Sequence, residues 1–128
     1  MSEDNDFASE LTQDELLSIL QACPRWVDPL SSIQAEAYFS ALVREVEIGD
    51  IELAAVRMRE RILRDFKYIS GPPEWIQGAE WLFSGSGRPM IFIGSLDVPS
   101  GVISHDSCRF YQFYDSESGD KRSVIQVA

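Results

Sequence analysis

The sequence predicts an α+β domain, an N-terminal three-helix segment packed on a small C-terminal antiparallel β-sheet. Residues 12–67 repeat apolar side chains at helical spacing, broken by Pro24, Pro29 and Gly49. Residues 90–127 instead form short alternating runs separated by turn residues. Between them, Gly71 to Gly94 holds two tryptophans, three prolines and five glycines, where the chain changes from helix to strand. Helices first and strands after imply helices on one face of an antiparallel sheet. Residues 1–10 are expected as a flexible acidic N-terminus, and 11–128 as one domain with helices within 12–67 and the sheet within 75–127.

The first helix opens at Thr12-Gln13-Asp14-Glu15, a capping box in which the Thr12 hydroxyl serves the Glu15 amide and the Glu15 carboxylate reaches back. Leu11 and Leu16 occupy the staple positions around that cap. Leu16, Leu17, Ile19 and Leu20 are the expected buried side, and Pro24 ends the helix after Cys23. The second helix begins at Ser31 or Ser32 and runs to about Ile48, with Ala35, Tyr38, Phe39, Leu42, Val43 and Val46 as one stripe. Gly49 terminates it and Asp50 caps the third helix, which repeats the pattern with Ile51, Ala55, Met58, Ile62 and Phe66. So short a link predicts an antiparallel pair.

Pro72 and Pro73 stop any helix before them, and Trp75 and Trp81 need a surface to lie on. Gly85 and Gly87 permit a reversal leading into a strand from Met90 to Leu96, with Val102-Ile103 as a possible short second strand. Cys108 to Tyr114 is the next, with Arg109, Tyr111 and Phe113 on one face and Cys108, Phe110, Gln112 and Tyr114 on the other. Residues 115–120 form a turn, and Ser123 to Val127 completes a hairpin.

A net charge of −10 repels phosphate backbones and anionic lipid, which argues against a nucleic-acid or membrane partner and favours a basic protein partner. Solubility alone also accounts for such a charge. No apolar run reaches the ~20 residues of a membrane span, and MSEDNDFASE lacks the basic-then-apolar order of an export signal. Cys23 and Cys108 are the only cysteines, and two free thiols suit a reducing cytoplasm.

Catalytic signatures are weak. His105 and Cys108 resemble a base and nucleophile, or the start of a metal site, but strand alternation points them apart and further ligands are lacking. Gly85-Ser86-Gly87 lacks the lysine and following helix of a phosphate loop. Arg57, Arg61 and Arg64 share a helix face that could hold an anion, although a solvated face beside a helix C-terminus is the simpler account. Asp97, His105, Asp106, Asp115 and Glu117 lie in loops and are the expected partner contacts. No catalytic residue, metal or cofactor is expected.

Pro73-x-Trp75-x-Gln77, Glu80-Trp81 and Gly87-Arg88-Pro89-Met90-x-Phe92-Ile93-Gly94 resemble the central motif of the YwqG-like bacterial proteins. Phe110-Tyr111-Gln112-Phe113-Tyr114-Asp115 and Ile125-Gln126 resemble that group's aromatic and closing strands. Short proteins of this style also occur as immunity proteins beside bacterial polymorphic toxins. The resemblance implies a bacterial cytoplasmic binding protein, without catalysis of its own, that neutralises a toxin through its acidic surface. Two other functions fit the residues. One is a small-molecule-binding domain or minor enzyme, with a pocket between helices and sheet lined by Trp75, Trp81 and His105. The other is a homo-oligomeric structural subunit.

Overall fold

The computed structural model describes residues 11–46, 49–102 and 105–128. The expectations for residues 1–10, for Ile48 as the end of the second helix and for Ile103 in a short strand lie outside the described residues. Val102, the other residue of that strand, lies in a turn.

Three helices precede three strands: α1 (Gln13–Ala22), α2 (Ile33–Val46), α3 (Ile51–Asp65), β1 (Ile91–Val98), β2 (Cys108–Tyr114) and β3 (Lys121–Val127). The cap of α1 forms as the sequence requires. Glu15 N donates to Thr12 Oγ1 over 3.1 Å, and Thr12 N donates to Glu15 Oε1 over 2.9 Å. Ser32 Oγ receives Ala35 N at 3.0 Å ahead of α2, and Asp50 Oδ1 receives Leu53 N at 3.1 Å ahead of α3. Tyr38 and Phe39, early in α2, meet Asp65 and Phe66 at the end of α3, while Glu45 meets Arg61. The two helices therefore run in opposite senses.

The largest helix–helix contact joins α1 to α3, not the sequence neighbours α2 and α3. Its buried side corrects the sequence expectation. Ser18, Ile19 and Ala22 face the core, whereas Leu17 and Leu20 are 47% and 53% exposed. On α3, Ala54, Met58 and Ile62 are buried and Ala55 is only partly so. Small side chains on both helices let their backbones approach, which selects this seam over the leucines.

The sheet has the order β1-β2-β3 with antiparallel neighbours throughout. A register shift between Phe92 and Gly94 marks a bulge in β1. Phe92, Tyr111, Phe113 and Val124 point into the core, so the Arg109/Tyr111/Phe113 face is the inner one. Asp115 and Gly119 close the β2–β3 hairpin, with Gly119 at φ 82°.

Between helices and strands lies a third component, the segment from Phe66 to Met90. Ring centroids link Phe66 to Trp81 at 5.2 Å and Trp81 to Phe113 at 5.3 Å, one path from α3 to β2. Trp81 Nε1 donates to Met90 O over 2.8 Å, and Trp75 Nε1 donates to Trp26 O over 3.0 Å. Trp81 is thus buried and Trp75 half-buried, each without stranding its N–H. Tyr111 Oη accepts Ile76 N and donates to Glu74 O, both at 2.9 Å. Gln126, almost wholly buried, accepts Gln77 N at 2.9 Å and donates to Gly78 O at 2.7 Å and Glu80 Oε1 at 2.8 Å. These bonds fasten the tryptophan segment to β2 and β3, and the helices pack on the sheet through it.

Candidate functional site

The outer sheet face is built by strand alternation. With Arg109, Tyr111 and Phe113 turned inward, Cys108, Phe110, Gln112 and Tyr114 must turn outward. The register then sets Leu96, Phe110 and Ile125 side by side across all three strands, with Val98, Cys108 and Val127 as the next row. Leu96 is 66% and Ile125 53% exposed, while Phe110 is half-buried and Val98 and Cys108 are buried. A surface sheet normally places polar side chains here. Polar residues dominate only nearer the hairpin turn, at Gln112, Ser123 and Lys121.

Four of the five sequence-predicted contacts fall at the two ends of this face, whereas Asp97, opposite Arg109, turns to the inner side. Asp97, expected in a loop, lies within β1, which extends to Val98; His105 and Asp106 precede β2, and Glu117 lies in the β2–β3 turn with Asp115, which is buried. The seven residues of β2 separate the groups by roughly 20 Å. They therefore form two acidic ends, not one cluster. Asp97 takes a hydrogen bond from Arg109 Nε, which holds its carboxyl below the ordinary carboxylate range. Arg109 also donates through Nη1 to Glu74 O over 2.8 Å. Asp115 receives Glu117 N at 2.9 Å, and this bond lowers its pKa and organises the turn. Glu117 receives the Ser86 hydroxyl, tying the turn to the 84–88 reversal. His105 and Asp106 are exposed.

Among the described residues, Trp75, Trp81 and His105, the lining of the alternative pocket, are not brought together. Trp81 is buried, His105 lies at the sheet end, and Trp75 lines a separate groove of about 720 Å³ with Trp26, Pro24 and Pro73. Cys23, also in that groove, has its thiol pushed up to about 12 by burial and secondarily by Asp28. A thiol so disfavoured as thiolate is a poor nucleophile.

A second hollow, of about 510 Å³, lies where the end of α3 meets the 84–91 segment and the hairpin turn. Arg61, Arg64, Lys67 and Arg88 line it, with Glu45, Asp65, Asp115 and Glu117. Arg61 pairs with Glu45 at 3.0 Å and Arg64 with Asp65 at 3.2 Å. Asp65 also receives the Tyr38 hydroxyl at 2.7 Å, and burial together with this bond raises the phenol pKa. Arg57 lies outside this hollow but lines an adjacent one with Arg61, Arg64, Glu45 and Glu60, so the three arginines do share a helix face, interspersed with carboxylates.

Among the described residues, no group of three His, Cys, Asp or Glu side chains is placed to hold a metal ion. No helix among them is long and apolar enough to cross a membrane. Sequence reasoning placed Phe110 opposite Tyr111 but missed the Leu96–Phe110–Ile125 row. Its only local signal was that Cys108 to Tyr114 carries aromatic residues on both faces. Compared with known proteins, the chain matches no family model, no curated protein and no solved structure.

Proposed function

We propose that this protein is a binding module without catalysis of its own, and that its outer sheet face docks a basic protein partner, in the specific form of a toxin domain it neutralises. The observation that carries this is the apolar row Leu96–Phe110–Ile125, open to solvent and flanked at both ends by carboxylates. An exposed apolar patch with a polar rim is the anatomy of a protein-binding surface. Asp106 at one end and Glu117 and Asp120 at the other, on a chain of net charge −10, complement lysines and arginines around an apolar centre. A toxin that acts on nucleic acid presents such basic groups, and covering them would block its substrate. Two free thiols fit action in the cytoplasm.

The test is co-expression with candidate secreted toxin domains drawn from neighbouring genes, read by survival and by co-purification. Wild-type protein should rescue growth, and Leu96→Asp and Ile125→Asp should abolish rescue while retaining the native circular dichroism spectrum. Survival no better than an empty vector would remove the toxin assignment. Rescue by both variants equal to wild type would remove the sheet face. A concentration-dependent dimer that both variants dissolve would instead assign that face to a second copy.

A further inference from the structure

We propose that the 510 Å³ hollow between the end of α3, the 84–91 segment and the hairpin turn is a binding site for the phosphate group of a small phosphomonoester. The argument is independent of the sheet face. Four of the chain's eleven basic residues converge here, in a protein with 21 acidic residues. Cations at a helix C-terminus are expected without any ligand, since the helix dipole favours them there. That accounts for Arg61, Arg64 and Lys67. It does not account for Arg88, which arrives from a different element, the reversal after Phe83.

The carboxylates in the same hollow are already engaged. Glu45 accepts from Arg61, Asp65 from Tyr38 and Arg64, Asp115 from the Glu117 amide, and Glu117 from Ser86. Lys67 and Arg88, by contrast, have no acidic group within 4 Å among the described residues. A phosphate dianion offers three acceptor oxygens to the forked Arg88 and the point charge of Lys67. Pro89 and Ile91 provide an apolar wall for the organic portion, and the volume accommodates one.

The test is an amide NMR titration of the full chain at fixed ionic strength with glycerol 3-phosphate, inorganic phosphate and glycerol as separate probes. Glycerol 3-phosphate should give saturable shifts confined to Arg61–Lys67 and Ser84–Arg88, and bind more tightly than inorganic phosphate, with glycerol silent. Lys67→Gln and Arg88→Gln should each weaken binding about tenfold, the loss of one charge-assisted bond. Both side chains are exposed, so the fold should persist, as the unliganded spectra will show. Arg59→Gln, exposed and outside the hollow, should bind as wild type. Linear, unsaturable shifts, or equal weakening by Arg59→Gln, would reduce the effect to diffuse electrostatics and overturn the proposal. Inorganic phosphate binding as tightly as glycerol 3-phosphate would overturn the phosphomonoester assignment.

Discussion

Replacing Phe66 with alanine probes the joint between the helices and everything after them. The ring is 1% exposed, closes the last turn of α3, and lies 5.1 Å from Tyr38, 6.0 Å from Phe39, 5.2 Å from Trp81 and 5.8 Å from Phe83. Truncating a buried phenylalanine costs about 3–5 kcal/mol, transfer and cavity terms together. Four aromatic neighbours place this site in the upper part of that range, because edge and stacked contacts are lost as well. Against a total stability of about 5–15 kcal/mol this is a large fraction. For a 128-residue domain it lowers Tm by roughly 10–20 °C. Urea denaturation should be followed by far-UV circular dichroism, which reports mainly the helices, and by fluorescence of Trp26, Trp75 and Trp81. The two curves should coincide in wild type and variant, with a lower midpoint and unchanged slope in the variant. A loss below about 1.5 kcal/mol would refute the keystone role of this ring. Separation of the two curves would show that helices and sheet are independent bodies.

Three further outcomes follow from named contacts. Gln126→Leu removes three hydrogen bonds to residues 77–80, and should cost about 2–3 kcal/mol in urea denaturation because the partner groups regain only part of their bonding from water. The Cys23 thiol, raised from 9.0 to about 12, should resist a thiol reagent at neutral pH. Its contribution to stability is complete below pH 9.0 and is lost as pH rises toward about 12, because the unfolded thiol ionises first; urea midpoints for wild type and Cys23→Ala across that window check this. Asp115, held below 3.8 by its turn amide, has the opposite sign. Its contribution is present above pH 3.8 and is lost as pH falls through its lowered folded-state value, so Asp115→Asn should lose less stability on acidification than wild type.

Local chemistry made much of the fold legible. Thr12 with Glu15, and Asp50 after Gly49, declare helix starts because a side-chain oxygen must serve otherwise unpaired amides. The limits of β2, Cys108 and Tyr114, are those read from alternation. The buried side of α1 was not legible, since Leu16, Leu17, Ile19 and Leu20 spread around a ten-residue helix and hydrophobicity alone cannot choose among them. The small residues Ser18 and Ala22 mark the seam, a choice made by the shape of α3. The middle layer was hidden for the same reason. Its bonds from Trp75 to Trp26 and from Gln126 to Gly78 span 49 and 48 residues, beyond any local pattern. Lys67 and Arg88 meet in one hollow only because the 84–91 segment folds back against α3.

The most direct test of the proposed binding face is methyl NMR of the Leu, Ile and Val side chains as the toxin domain proposed as its partner is added. The Leu96, Ile125 and Val127 methyls should shift and broaden, while those of Leu17 and Leu20, equally open to solvent on α1, stay put. Shifts confined to Leu17, Leu20 or Leu53, with the sheet methyls unmoved, would place the partner on the helices and contradict the account.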